Sequence, residues 1–296
     1  MEPYHYPVMY REVLNFLEPQ RRKVIVDCTL GLGAHAAKML ESMSQDSLLI
    51  GIDRDQDSLE VAKKNLKSFN GRFTVARGDF ANLDQVLAKV KINRVDAFLF
   101  DLGISTYQLN SPQRGFSFLK EGPLDMRMDQ DAFVSAYDLV NNLSEGELAS
   151  IFKKFGEERH ARRIAIRLVE ARRKEPLTTT TQLTRIIVSA LSVKSQHGRI
   201  HPATRIFQSL RIAVNRELES LKDGLGRAVE LLNKGGRIGV ISFHSLEDRI
   251  VKHVFKNYAS EGILKVITKK PLIPTDLERE ENLASRSAKL RIAERN

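Results

Sequence analysis

One stretch constrains the fold more than any other: a run of β-branched apolar residues that ends in an acid and a glycine turn. Residues 24–27 are Val-Ile-Val-Asp, and Gly31-Leu32-Gly33 follows. Such a run is typical of a strand buried on both faces of a parallel sheet. The two glycines allow a sharp turn and a close approach of ligand to main chain. The stretch therefore predicts either a small-molecule site or an ordinary strand-to-helix turn.

Three more apolar runs follow, and each ends at or near an acid. The runs are residues 48–53, 73–76 and 95–100, and the acids are Asp53, Asp79 and Asp101. In open α/β sheets, ligands bind outside the carboxyl ends of the parallel strands. Four such strands separated by helical segments predict an α/β protein with acids around its ligand site.

Two of these strand ends indicate an adenosine-containing ligand. Asp53 lies 20 residues beyond Gly33, close to the spacing at which a carboxylate binds a ribose diol in nucleotide-binding βαβ units. Asp79 and Phe80 supply an acceptor for an adenine amino group and a ring that covers the base. Phe80 is also compatible with a position in the core.

The alternation of strands and helices stops after Asp101. Residues 105–215 contain loops and helical patterns, and no run between 130 and 200 resembles a buried parallel strand. We expect a sheet domain in two parts, residues 1–104 and 216–296, with residues 105–215 inserted as a helical, substrate-recognition domain. The strands expected after the insertion are residues 237–242, 264–268 and 288–293.

Local signals predict where several helices begin and end. His201-Pro202 predicts the start of a long helix, because proline is favoured in a first turn. The glycines of Lys234-Gly235-Gly236 predict the end of the next helix. Ser245 and Asp248 have capping-box spacing, which gives Ser245 a structural role.

Composition points to a basic, intracellular protein. Lys plus Arg number 47 against 37 Asp plus Glu, for a net charge of +10, which suits a polyanionic partner, most often nucleic acid. The single cysteine, Cys28, fits a reducing compartment. We see no signal-length apolar run and no 18-residue apolar stretch, so we expect a cytoplasmic protein without a membrane partner. No metal-ligand spacing appears, so no metal is expected.

Several longer strings resemble those of one enzyme family, the bacterial ribosomal small-subunit RNA cytosine-N4-methyltransferases (RsmH, formerly MraW). The similarity extends over nearly the whole chain. The matching strings are His5-Tyr6-Pro7-Val8-Met9, residues 29–35, 51–55, 101–105, 114–118, 123–128, 201–205, 242–249 and 286–291.

The resemblance implies a fold, a cofactor and a reaction. The fold is that of class I, Rossmann-like, S-adenosylmethionine-dependent methyltransferases with an inserted helical domain. The reaction is methylation of the exocyclic N4 amine of one decoding-centre cytidine in 16S rRNA, cytosine 1402, with the small ribosomal subunit as the expected partner. Carried over by position, the cofactor contacts are Gly33, Ala34, His35, Asp53, Phe80, Asp101 and Gln108.

The chemistry of the amine suggests catalytic residues. Its lone pair is delocalised into the ring, so the reaction needs positioning and an acceptor for the amine hydrogens. Asp101, aided by Ser105 in the following loop, is the candidate; Asp101 is equally compatible with cofactor binding alone. We expect an RNA groove between the two domains with the substrate-binding residues Arg114, Asp125, Arg127, His201, Arg205 and His244.

Three residues depart from the family pattern. Ala34 stands where glycine is usual, Thr106 where serine is common, and Ala284 where arginine is usual. A methyl group at Ala34 would crowd the cofactor, and the loss of an arginine at 284 would remove one RNA contact.

Two other functions fit part of the sequence. Gly31-x-Gly33-x-x-Ala36 followed by Asp53 satisfies the dinucleotide fingerprint of nicotinamide-dependent oxidoreductases, although no second mononucleotide half is evident. A non-catalytic RNA-binding or ribosome-assembly protein on the same fold is the other alternative. Intact acids at the strand ends favour an enzyme over the second of these.

Overall fold

The computed structural model describes residues 6–192 and 200–296, so His5 of the first matching string lies outside the described residues. Contacts divide the chain into two compact units. Unit 1 comprises residues 1–103 and 218–296, and unit 2 comprises residues 104–217. Between 130 and 200, none of the described residues belongs to the sheet.

Unit 1 contains one seven-stranded sheet. Its strands are β1 Val24–Asp27, β2 Leu48–Asp53, β3 Phe73–Arg77, β4 Val95–Asp101, β5 Leu232–Ser242, β6 Leu264–Val266 and β7 Lys289–Arg295. The spatial order is β3-β2-β1-β4-β5-β7-β6. The first five strands are parallel, and β7 runs antiparallel to both of its neighbours. The order reverses at β1, which pairs with β2 on one side and β4 on the other, so the ligand site of this topology is expected at the carboxyl ends of β1 and β4.

Helices cover both faces of this sheet. The helices of unit 1 are α1 Tyr10–Leu17, α2 Ala34–Ser42, α3 Gln56–Asn65, α4 Leu83–Lys89, α11 Glu217–Leu231, α12 Ser245–Ser260 and α13 Asp276–Glu281, with Glu217 itself in unit 2. One face packs against α1, α2 and α3, and the other against α4, α11 and α12. Because both faces are covered, the central strands are buried almost throughout, as their continuous apolar runs predicted.

Unit 2 is helical. Its helices are α5 Thr106–Asn110, α6 Ala136–Asn142, α7 Glu145–Gly156, α8 Ala161–Arg172, α9 Thr180–Ser189 and α10 Pro202–Asn215. Apolar side chains of α6 to α10 form a core of their own, joined by Phe116, Leu124 and Met126 from the preceding loops. His201 is the N-cap of α10, and its Nδ1 accepts from the Ala203 backbone N–H at 3.2 Å, so the helix begins where His201-Pro202 predicted.

Two local predictions are wrong. The helix before β5 ends at Leu231, and residues 233–236 lie within β5, where they face the single residue Asp96 across a register shift. The glycines thus accommodate a bulge instead of ending the helix. The capping box of α12 starts at His244, not Ser245: the Glu247 carboxylate accepts from the His244 N–H at 3.2 Å, and His244 Nδ1 accepts from the Glu247 N–H at 3.4 Å.

Among the described residues, no helix has the length and apolar character needed to cross a bilayer.

Candidate active site

The turn after β1 is built around two glycines with positive φ. Gly31 has φ 51° and Gly33 has φ 84°, conformations that side chains disfavour. Gly33 is the N-cap residue of α2, so the first N–H groups of this helix follow the turn. Ala34 begins the helix with an exposed side chain.

Asp53, at the end of β2, holds this turn in place. Its Oδ2 accepts from the Gly31 N–H at 2.8 Å, and its Oδ1 accepts from the Asp55 N–H at 2.9 Å. Burial raises the pKa of the carboxyl group, and these backbone bonds oppose the rise. A carboxylate has about four lone-pair sites, so Asp53 retains acceptor capacity toward the site.

Asp101, the last residue of β4, lies against a buried histidine. His35 Nδ1 is 3.3 Å from Asp101 Oδ2. Asp101 Oδ1 is also buried, and no donor of the described residues reaches it. Buried acceptors nearly always have partners, so this atom marks the place where a bound molecule would supply a donor.

Asp27, at the end of β1, is a third acid; it ends the first apolar run of the sequence, but no role was predicted for it. It is 1% exposed, and its Oδ1 accepts from the Thr29 N–H at 3.2 Å. Burial, partly offset by the positive charge of His35, raises the pKa of Asp27 to about 7. The Thr29 hydroxyl accepts from the Asp101 N–H, which ties the ends of β1 and β4 together. Asp27 could have been found by the rule that located Asp53 and Asp101, because it also ends a buried strand.

The end of β3 carries a compact group of charged and aromatic side chains. An Asp79 oxygen lies 2.7 Å from Arg54, and the other accepts from the Ser220 hydroxyl at 3.2 Å. The Arg54 guanidinium lies over the Phe80 ring at 5.4 Å, and Phe80 meets Phe100 edge-on at 5.5 Å. Phe80 is therefore half-buried at the margin of the core.

Ser105 and Gln108 lie in unit 2, where they form the capping box of α5. The Ser105 Oγ accepts from the Gln108 N–H at 3.2 Å, and the Gln108 side-chain oxygen accepts from the Ser105 N–H at 3.1 Å. Gln108 is 4% exposed. Their roles in catalysis and cofactor binding stay predictions.

The charged residues predicted to bind substrate in the loops of unit 2 make bonds within that unit. Arg114 is 6% exposed and donates to the carbonyl oxygens of Arg127 and Met128 at 2.9 and 3.0 Å. Arg127 forms a bidentate pair with Asp125 at 2.9 and 2.7 Å. These bonds brace the loops, and contact with RNA stays a prediction for all three.

The other predicted substrate residues are dispersed. His201 stacks on Phe118 with ring centroids 4.7 Å apart, and Arg205 lies 3.8 Å from Glu158, both in unit 2. His244 belongs to unit 1, where its Nε2 is 3.2 Å from Glu247. The candidate site in unit 1 thus comprises the predicted residues Gly33, Ala34, His35, Asp53, Phe80 and Asp101, together with Asp27 and Thr29, which were not predicted as site residues.

Taken together, these residues fit S-adenosylmethionine. Asp53 supplies acceptors suited to the ribose hydroxyls. The buried Oδ1 of Asp101 could accept a hydrogen bond from a donor of the bound molecule. The Gly31–Gly33 turn, whose glycines have no side chains, places backbone close to the same strand ends. The doubly wound sheet and this cluster of strand-end acids define the class: a Rossmann-like, S-adenosylmethionine-dependent methyltransferase.

Comparison with known proteins gives the family. The chain belongs to the MraW methylase family, whose model matches residues 2–296. It is 49% identical over 306 residues to a protein of Geobacter sulfurreducens named Ribosomal RNA small subunit methyltransferase H, with 98% of each chain covered. A protein of Persephonella marina with the same name is 47% identical over 291 residues, covering 98% of this chain and 99% of the relative.

Among solved structures, the chain is similar to a rRNA methylase from Streptococcus thermophilus, with a TM-score of 0.45 and 10% identity over 97% of this chain and 93% of the other.

Proposed function

We propose that the protein transfers a methyl group from S-adenosylmethionine to the N4 amine of one cytidine of 16S rRNA, cytosine 1402 of the decoding centre. The observation that carries the proposal is the match, along 98% of the chain, to relatives named Ribosomal RNA small subunit methyltransferase H. The sequence resemblance to rRNA methyltransferases and the net charge of +10 both support RNA as the substrate. Because the substrate is ribosomal, we place the reaction in the cytoplasm.

Within this reaction, S-adenosylmethionine supplies a methyl group that is already strongly electrophilic. The task of the protein is then to position the amine and to stabilise the charge that develops on its nitrogen. We assign the second task to Asp101, because its Oδ1 is buried and accepts no hydrogen bond from the described residues. Asp53 binds the ribose in this assignment, and Asp27 interacts electrostatically with both acids.

We assign recognition of the RNA to unit 2, the predicted substrate-recognition domain. Cytosine N4 takes part in base pairing, so the target base must be single-stranded or flipped out before it reacts. The exposed arginines of α8 and of the loop before it, Arg159, Arg163 and Arg167, are available for phosphate contacts. Binding of 16S rRNA is therefore expected to weaken steeply with salt, and a flat salt dependence would contradict phosphate contacts.

A methyl-transfer assay tests the proposal. Small ribosomal subunits from cells that lack this enzyme are incubated with labelled S-adenosylmethionine, and the rRNA is digested to nucleosides. We expect the label in N4-methylcytidine alone. Absence of label, or label in another nucleoside, contradicts the proposal. Binding of NAD at the affinity of S-adenosylmethionine would favour the oxidoreductase alternative.

A further inference from the structure

His35 is held from both of its ring nitrogens. Its Nε2 is 2.9 Å from the Val8 carbonyl oxygen, and its Nδ1 is 3.3 Å from Asp101 Oδ2. A carbonyl oxygen only accepts, so Nε2 carries a proton. If Nδ1 also carries a proton, the ring is a cation and Nδ1 donates to the carboxylate. In a neutral ring with its proton on Nε2, the lone pair of Nδ1 would face and repel an ionised Asp101.

The carbonyl that orients His35 belongs to a chain segment with anchors of its own. We call residues 6–9 the N-terminal strap. The Met9 N–H donates to Glu278 Oε1 at 2.7 Å, and the Asn282 side-chain amide donates to the Tyr6 carbonyl oxygen at 3.0 Å. Met9 is fully buried with φ 52°. The strap is thereby fixed to α13 and the residue after it.

Three acids surround the imidazole. Asp101 is its direct partner, Asp27 lies at the end of β1, and Glu278 lies on α13. Burial lowers the pKa of His35, but the charge and hydrogen bond of Asp101 and the charge of Asp27 outweigh it, so the net pKa of His35 is raised. The ring is 6% exposed, so solvent screens its charge little.

From this geometry we infer that His35 is a positioning residue. Oriented by the strap, it binds Oδ2 of Asp101 as an imidazolium and thereby fixes the orientation of the carboxylate that we assign to the reacting amine. The inference rests on the proposed methyl transfer for its kinetic consequence, but the protonation state of His35 is a property of the protein alone. Of the sequence strings that resemble the family, the one that contains residues 6–9 thereby gains a role that the cofactor contacts do not explain.

The first test needs neither cofactor nor RNA. The ring nitrogens of His35 are followed by NMR in ¹⁵N-labelled protein across a pH series. We expect protons on both nitrogens at neutral pH and an Nε2–H tautomer at higher pH. In Asp101→Asn the midpoint should shift to lower pH. A neutral Nδ1–H tautomer, or an unchanged midpoint in Asp101→Asn, overturns the inference.

The second test separates the two contacts of the ring by single-turnover kinetics at saturating cofactor. Gln at position 35 places an amide donor near the Nε2 position, and Asn places one near Nδ1. We expect His35→Gln to lower the rate about 10- to 100-fold, the range found for residues that orient a functional ligand, and His35→Asn to retain more activity. The single-turnover rate of wild type should fall as pH rises through the midpoint of the His35 titration. The rate of His35→Gln should not show this fall.

A mutant cycle then shows whether His35 acts through Asp101. In an Asp101→Asn background, His35→Gln should change the rate little, because the carboxylate that it positions is gone. An equal fold-loss in both backgrounds overturns the inference.

Lys38→Gln is the matched control for charge. It removes a positive charge from the same helix, where Lys38 pairs with Glu41 at 2.9 Å on the exposed side, and should alter neither the titration nor the rate. If wild type itself transfers no methyl group, the proposed function fails while the NMR result still decides the protonation of His35.

Discussion

Unit 1 and unit 2 both contain buried charged side chains, but these side chains differ in their hydrogen-bond partners and in their place in the fold. In unit 2, the guanidinium of Arg114 bonds to two carbonyl oxygens, and Arg127 pairs bidentately with Asp125. In unit 1, Asp27 and Asp101 end buried strands, and an oxygen of Asp101 meets no donor among the described residues. An unsatisfied buried polar atom costs about 1–3 kcal/mol, and the one on Asp101 lies at the carboxyl end of a parallel strand, where ligands of this topology bind. The buried guanidinium of Arg114 instead lies in a loop that its bonds brace.

We interpret the bonded charges in the loops of unit 2 as structural and the strand-end acids of unit 1 as candidates for ligand binding. The type of a predicted site residue does not by itself show whether the residue stabilises the fold or binds a ligand. Its bonds and its position in the fold help to distinguish these two roles. Substitutions in unit 2 loops should act on stability, and substitutions at the strand ends should act on binding and rate.

The largest effect is expected for Asp101→Asn. This change keeps the shape of the side chain and removes its charge, so the single-turnover rate at saturating cofactor should fall about 10²- to 10³-fold, as for loss of one preorganised electrostatic contact. Rapid-quench measurement with labelled cofactor gives the rate, and calorimetry gives the affinity. A loss confined to affinity would make Asp101 a cofactor-binding residue only.

Arg114→Ala tests the structural role of a buried charge in unit 2. Losing a buried guanidinium leaves the carbonyl oxygens of Arg127 and Met128 without their donor, and we expect a loss of about 2–4 kcal/mol in the free energy of unfolding. Denaturant unfolding measures it. Arg163→Ala, an exposed arginine of α8, is the control and should change stability little. Unchanged stability together with weakened RNA binding in Arg114→Ala would place Arg114 with the substrate contacts.

Asp53→Ala should weaken S-adenosylmethionine binding by about 1–3 kcal/mol, the range for losing a hydrogen bond to a charged group. Calorimetry on the folded variant checks this, with Glu60→Ala on the exposed face of α3 as the control. Because Asp53 also holds Gly31 and Asp55, thermal unfolding must accompany the titration. Full affinity in a folded Asp53→Ala variant would remove the ribose assignment.

Asp27 makes stability depend on pH. Its pKa is raised from 3.8 to about 7 in the folded state, so the folded state retains the proton that the unfolded state releases first. The contribution of Asp27 therefore falls as pH rises from about 4 to about 7, by at most ~1.4 kcal/mol per pH unit. The Asp27→Asn variant has no carboxyl group to titrate here. Its free energy of unfolding in urea, relative to that of wild type, should therefore increase as pH rises across that window. A constant difference between the two would contradict the raised pKa.

Much of unit 1 was predictable because its signals are local. Each central strand is a continuous apolar run that ends at an acid, and Asp53 and Asp101 were located from that pattern alone. The bulge at residues 233–236 was missed because it depends on pairing with β4, which a glycine pair does not reveal.

The details of the site depend on contacts between distant parts of the chain. Val8 meets His35 across 27 residues, and Met9 meets Glu278 across 269. No periodicity encodes such contacts. The bonds of Arg114 to the carbonyl oxygens of Arg127 and Met128 were likewise not predictable from the sequence, because arginine serves both structural and RNA-binding roles.

We propose that Asp101, at a strand end of unit 1, supports methyl transfer to 16S rRNA. The most direct test is mass spectrometry of the decoding-centre fragment of 16S rRNA from cells that lack the protein, complemented with wild type, Asp101→Asn or Lys38→Gln at equal expression. We predict the N4-methyl group with wild type and Lys38→Gln, and its loss without the protein and in Asp101→Asn. Full methylation in the Asp101→Asn strain, or in cells without the protein, would contradict the account.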